Sequence, residues 1–177
     1  MKRLLTVLAL LLAVGASPVV SAQVVIAPEV AEKLAFMREE EKLARDVYAY
    51  FDAFYETREP GANVFGRIAE AEARHEAAVL KLLVSYGLPD PAYVEPGKFQ
   101  DLALQDLYDT LITVGELGVI EALGTGVVIE QKDLDDLVAA IELSLAYPDI
   151  VQVYSNLLAS SENHLAAFNK VLARGSL

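Results

Sequence analysis

Five residues able to bind metal interrupt apolar helical stripes at places where a buried face should contain only hydrocarbon. Glu41 lies in the stripe Leu34, Met37, Ala44, Tyr48, Phe51 and Tyr55, and Glu72 and His75 lie in the stripe Phe65, Ile68, Val79, Leu82 and Tyr86. Glu130 interrupts Ile120, Leu123, Val127, Leu134, Leu137 and Ile141, and Ser161 with His164 interrupts Tyr154, Leu157, Phe168 and Val171. Each interruption falls near the middle of its stripe. In an antiparallel bundle the helix middles share one level, so these side chains are expected to converge inside the core. Three neighbouring buried carboxylates repel one another unless they are protonated or neutralised. Two divalent ions would neutralise them, and an oxygen and imidazole donor set suits iron best, with manganese or zinc also compatible.

The spacing within the stretch "EARH" supports this reading. Residues three apart on a helix are separated by about 60° and one turn, so Glu72 and His75 can reach the same ion. Arg45 and Arg74 offer a competing, purely electrostatic explanation in which the buried acids are salt-bridged; that explanation leaves both histidines unaccounted for. The first helix is ambiguous. A second stripe, Phe36, Leu43, Val47, Tyr50 and Phe54, would turn Glu40 inward instead of Glu41. Asp133 stands three residues after Glu130 and is either a further ligand or a group that orients His164, whereas Asp135 and Asp136 read as a solvated acidic face.

Four long amphipathic helices must position these groups. They are expected from Pro28 to Glu56, from Asn63, acting as N-cap, to Tyr86, over the stripe from Ile120 to Ile141, and from Pro148 onward. No stretch alternates with period two. Between the second and third long helices, "GLPDPAYVEPGKFQD" and a short helix near "LALQDLYDTLITV" make a connection too long for a hairpin. The expected fold is therefore all-α, a four-helix bundle with one long crossover. Gly124 and Gly126 cost roughly 1 kcal/mol each relative to alanine inside a helix, unless they serve close backbone approach.

The first 22 residues read as a signal peptide: Lys2 and Arg3, the apolar run "LLTVLALLLAVGA", and small residues at Val20 and Ala22 before the cleavage point. Residues 23–177 would then be one exported domain, periplasmic or extracellular, without stable membrane insertion. Export would take the formal charge from −12 to −14, a surface that repels nucleic acid and anionic lipid. The chain has no cysteine, which excludes disulfides, thiolate zinc sites and thiol nucleophiles.

The layout of Glu41, Glu72 with His75, Glu130 and His164 resembles the ferritin-like di-iron carboxylate superfamily. "EKLARDVY" is similar to the first-helix signature of the rubrerythrin branch, a likeness that selects Glu41 over Glu40 and Glu39 and places Tyr48 beside the ligands. More closely, "MREEEKLARDVY", "IAEAEARHEAAVLKLLVSYGLPDP", "GVVIEQKDLDDL" and "SSENHLAAF" resemble the domain of unknown function family 2202, which is classed as ferritin-like. The departure is on the last helix, where the usual Glu-x-x-His reads Ser161-Glu162-Asn163-His164. Glu162 does not repair it, because two residues turn a helix by about 200° and carry that side chain away from His164.

The resemblance implies an exported di-metal protein, with redox activity toward oxygen, peroxide or ferrous iron and electrons drawn from a separate donor. A homodimer is compatible with it. The competing expectation is a non-catalytic metal-binding or stress-related bundle, and a third is a partner-binding bundle that uses the crossover "PAYVEPGKFQ".

Overall fold

Pro28 and Pro148 each open a long helix, at the position where a missing N–H costs nothing. The computed structural model describes residues 25–55 and 61–175, which form five helices and, among the described residues, no strand. They are α1 (Pro28–Tyr55), α2 (Asn63–Ser85), α3 (Leu102–Gly115), α4 (Val119–Leu143) and α5 (Pro148–Gly175). The proposed signal segment and Glu56 lie outside the described residues. No helix among those described is long and apolar enough to cross a membrane.

Local chemistry explains the helix ends. Gly87 has φ +68° after α2; its N–H donates to Val84 O at 3.1 Å and the Leu88 N–H to Leu83 O at 2.8 Å, a left-handed stop that glycine permits. At α3, Asp101 Oδ1 accepts from the N–H groups of Ala103 and Leu104. Asn63 does not cap α2, contrary to expectation: the capping position belongs to Ala62, which has no side-chain bond to offer, and Asn63 is the first helical residue. Helix α4 passes unbroken through both glycines. A Cβ on Gly126 would lie 2.7 Å from the Phe168 ring, so close approach accounts for that glycine, whereas Gly124 has no neighbour within 4 Å.

The long helices are antiparallel to the neighbours they touch. Asp52 meets Gly66 and Arg45 meets Glu76 between α1 and α2; Phe168 meets Gly126 and Ser161 meets Asp133 between α5 and α4. Tyr48 meets Glu130 and Lys33 meets Asp136 between α1 and α4, while Phe65 meets Phe168 and Tyr86 meets Asp149 between α2 and α5. With α2 and α4 thus running the same way, the chain must return along the molecule between them. It does so over α1, where Asp90 bonds Arg38, Gly97 bonds Asp46 and Gly115 bonds Tyr55.

That return path explains why both apolar stripes of α1 are buried around Leu43, Ala44, Val47 and Tyr48. It also buries charges that periodicity did not anticipate. Lys42, fully buried, donates to Asp46 Oδ2 at 2.6 Å and to the carbonyls of Glu95 and Lys98 at 3.0 and 3.1 Å. Glu39 accepts from the N–H groups of Gln100 and Asp101 at 2.6 and 3.0 Å. In the crossover proposed as a partner surface, Gly97 and Phe99 are buried, and Tyr93 and Val94 are its exposed large apolar side chains.

Two apolar clusters fill the molecule. One gathers Tyr48, Phe51, Phe65 and Phe168, the other Leu34, Met37, Leu83, Leu137 and Tyr154. Burying each such side chain contributes about 1.5–3 kcal/mol. On α4 the buried face runs through Ala122, Leu123, Ile129, Leu137 and Ala140, and the larger Ile120 is 45 % exposed. Leu123, Glu130 and Leu137 of the expected stripe are thus buried, whereas Val127, Leu134 and Ile141 are half-buried at its edge.

Candidate metal centre

Between the two clusters the apolar core gives way to a layer of charge. Glu41, Glu72 and Glu130 are 1–2 % exposed, and His75 and His164 are 9 % exposed. They come from α1, α2, α4 and α5, one layer built from all four long helices. The imidazoles lie face to face, with centroids 5.6 Å apart and planes inclined by 22°.

Two groups emerge, each with ligand atoms within 4.8 Å of one another: Glu41, Glu72 and His75, and Glu72, Glu130 and His164. Glu72 belongs to both. Its Oε2 is 2.7 Å from His75 Nδ1, which is 3.3 Å from Glu41 Oε2. Its Oε1 is 2.7 Å from His164 Nδ1, which is 3.6 Å from Glu130 Oε2. Neither Nδ1 is aligned with an acceptor as a hydrogen bond, and both are buried, as is the unpartnered Glu41 Oε1. Nitrogen and oxygen donors that converge without pairing are arranged as a cation would require. These buried groups could hold metal ions.

The electrostatics agree. Among the described residues, the basic side chains within ion-pair range of Glu41, Glu72 and Glu130 are the two histidines alone. Arg45 pairs with Asp46 and Glu76 instead, and Arg74 is exposed, so the salt-bridge alternative fails on geometry. Burial, only partly offset by His75, pushes the Glu41 carboxyl up to about 8. Burial acts the same way on Glu72, but its contacts with His164 and His75 outweigh it and hold that group down at about 2. Burial also raises Glu130. For the imidazoles burial favours the neutral ring, yet Glu41 and Glu72 push His75 up to about 10, and Glu130 and Glu72 push His164 up to about 9. Both imidazoles therefore favour the protonated form beside these carboxylates, a positive charge of the kind a cation would also supply.

The surrounding residues divide clearly. Tyr48, fully buried, donates to Glu130 Oε1 at 2.7 Å and packs on the Phe168 ring, as its place two turns beyond Glu41 led one to expect. Glu40, although 3 % exposed, joins neither group: its Oε1 accepts from Lys132, and burial followed by the nearby Asp133 pushes its carboxyl up to about 8. Asp133 is buried but also outside both groups; its Oδ2 accepts from Ser161 Oγ at 2.6 Å. Burial, then Glu41, pushes Asp133 well above the usual carboxylate range. It does not orient His164. That contact belongs to Ser160, whose Oγ is 3.2 Å from Nε2, a residue the sequence reading passed over although it stands one turn before the histidine. Glu162 is exposed, as helix geometry required, and Asp135 is exposed, but Asp136 is half-buried and ion-paired with Lys33 and Lys132.

Comparison with known proteins adds relatives without assigned chemistry. The chain is 38 % identical over 148 residues to the uncharacterized protein MJ0754 of Methanocaldococcus jannaschii, covering 83 % of this chain and 77 % of that protein. The crystal structure of that hypothetical protein matches with a TM-score of 0.80, over 85 % of this chain and 83 % of the other. A DUF305 fragment from Deinococcus radiodurans shares the fold alone, with a TM-score of 0.62 at 13 % identity over 85 % of this chain and 99 % of the fragment. The model of the uncharacterized protein domain DUF2202 matches residues 30–176, and with nearly the whole described chain inside that match, the chain belongs to the DUF2202 family.

Proposed function

We propose that this protein is a ferritin-like four-helix bundle whose middle layer holds two metal ions, iron foremost, with redox activity toward oxygen, peroxide or ferrous iron. The observation that carries the reading is the division of Glu72, one oxygen turned to the Glu41 and His75 group and the other to the Glu130 and His164 group. A single buried carboxylate shared in that way is what a bridged pair of ions needs. The antiparallel neighbours and the return of the chain over α1 support the ferritin-like arrangement.

Glu41 and His75 would hold one ion, Glu130 and His164 the other, and Glu72 both. A bound first-row pair supplies one-electron chemistry toward oxygen, peroxide or ferrous iron. The chain's own residues prepare the site for it. Tyr48 keeps a proton on its hydroxyl, since burial and then Glu130 push its ionisation well above the ordinary value, and spends it orienting Glu130. Phe168, Phe65 and Phe51 wall off one side of the layer, and Leu34, Met37 and Leu137 the other, which excludes bulk water. Without cysteines for an internal electron relay, reducing equivalents come from a separate donor. The basic start and the apolar run "LLTVLALLLAVGA" within residues 1–22 support export under this reading.

Metal analysis of protein purified from its native compartment tests it. About two iron or manganese ions per chain, together with oxygen or peroxide consumption by the reduced protein, is the expected result. A metal-free protein of undiminished stability would sink the dinuclear reading. Two ions with no consumption would leave a structural site, an alternative that the depth of the ligands, none more than 9 % exposed, favours over any open binding role.

A further inference from the structure

At the end of the bundle where α1 and α5 finish and α2 and α4 begin, a cleft of about 520 Å³ opens between α2, α4 and α5. Gly61 stands at its edge, so close to the neighbouring helices that a Cβ there would lie 2.5 Å from Val171 Cγ1 and 3.9 Å from Leu123 Cδ1. Val64, Leu123 and Val171 give the cleft an apolar lining continuous with the core. The polar side chains that line it are Asn63, Arg67, Lys170 and Arg174, and among the described residues no acid joins them.

That composition runs against the rest of the molecule. The chain carries 26 acidic residues against 14 basic ones, and Lys33, Arg38, Lys42, Arg45 and Lys132 each pair with a carboxylate. Arg67, Lys170 and Arg174 pair with none among the described residues. Lys170 and Arg174 are four apart and so share one face of α5, a like-charge spacing that costs stability. Arg174 lies in the last turn, where the helix dipole favours a cation, but Arg67 and Lys170 have no such compensation.

We propose that this cleft binds a small organic phosphate, its dianionic group held by Arg67, Lys170 and Arg174 and its organic body set against Leu123 and Val171. Two guanidinium groups and an ammonium offer more N–H donors than the two oxygens of a carboxylate can use, whereas a phosphate monoester brings three terminal oxygens and about two charges. The volume is that of a small-molecule site, about 300–1,000 Å³, and the apolar lining is what an organic body requires. The net charge of −12 repels nucleic acid and anionic membranes, which favours a ligand small enough to enter the cleft alone. No residue of the cleft belongs to either metal-ligand group, so the site stands apart from the dinuclear reading.

Isothermal titration calorimetry of the full chain with phenyl phosphate tests the site. The wild-type protein should bind one molecule per chain, about tenfold or more tightly than inorganic phosphate, because only the ester uses the apolar lining. Each cation makes a charge-assisted hydrogen bond, so Arg67→Ala and Lys170→Ala should each weaken binding about tenfold or more. Circular dichroism verifies their folds, and Arg174→Ala takes the place of either that unfolds. Lys81→Ala removes an exposed cation of α2 outside the cleft and should change nothing. Absence of binding overturns the proposal, as does unchanged affinity in Arg67→Ala and Lys170→Ala, or equal weakening by Lys81→Ala, the mark of diffuse attraction. Inorganic phosphate bound as tightly as the ester overturns the organic ligand. Flotation of the protein with phosphatidylglycerol vesicles, lost in Arg67→Ala, would assign the cations to a lipid surface and overturn it as well.

Discussion

Ser161 Oγ donates a 2.6 Å hydrogen bond to Asp133 Oδ2 across the α4–α5 interface, at the position one turn before His164 where the ferritin-like pattern carries a carboxylate. An acid thus faces that position from α4, one turn beyond Glu130. Because Ser161 is fully buried against that acid, Ser161→Glu would place two carboxylates together without water. It should destabilise the chain by about 3 kcal/mol or more, whereas Ser161→Glu combined with Asp133→Ser, which moves the acid to α5, should recover most of the loss. Chemical denaturation of the single and double variants measures the difference, and equal losses in both would show that the slot was not exchanging one carboxylate for another.

Glu72→Ala should abolish binding of both ions, and His75→Ala or His164→Ala of about one ion each, because only Glu72 lies in both ligand groups. Equilibrium dialysis against Mn²⁺ with metal analysis gives the stoichiometry. A Glu72→Ala protein that retains one tightly bound ion would contradict the sharing.

The pH dependence of stability should have opposite sign with and without metal. In chelator-stripped protein the two imidazoles have raised pKa values, to about 10 and about 9, so their stabilisation is complete below the unfolded value of about 6.5 and is lost as pH rises through 9 and 10. Glu41, raised to about 8, acts in the same direction, since ionising it in the folded chain costs more than in the unfolded one. Glu72, held down at about 2, gives stability that is lost only as pH falls from about 4.5 through 2. Stripped protein should therefore weaken from pH 6.5 to 10. Metal-loaded protein should strengthen over the lower part of that window, because protons compete with the ions for the same imidazoles. Thermal denaturation at several pH values, with and without Mn²⁺, reads both slopes.

Gly124→Ala and Gly126→Ala should move stability in opposite directions. At Gly124 an added methyl meets nothing within 4 Å, so the helix propensity gain of up to about 1 kcal/mol is kept. At Gly126 the same methyl would lie 2.7 Å from the Phe168 ring, in the cluster that holds Tyr48, and overpacking should cost about 1–3 kcal/mol. Urea denaturation of the pair separates the two, and a shared sign would remove close approach as the reason for Gly126.

Periodicity and composition determined the four long helices, the level at which their polar residues meet and the types of the convergent donors, because a 3.6-residue repeat records which face each helix must bury. Only the tertiary structure decided how those donors are shared. Glu40 and Glu41 stand on adjoining apolar stripes that local periodicity cannot rank, and both are buried because α4 meets one side of α1, taking Glu40 to Lys132, and α2 the other, taking Glu41 to His75. Asp133 is set apart from Asp135 along the chain by its spacing from Glu130, but only the packing of α4 on α5 shows that its partner is Ser161, while Asp135 remains in solvent. Lys42, Asp46 and Glu39 lie on neither apolar stripe of α1, and they are buried because distant loop carbonyls and N–H groups satisfy them. Helix geometry is local and so is written along the chain, whereas the burial of a charge depends on partners far away in sequence.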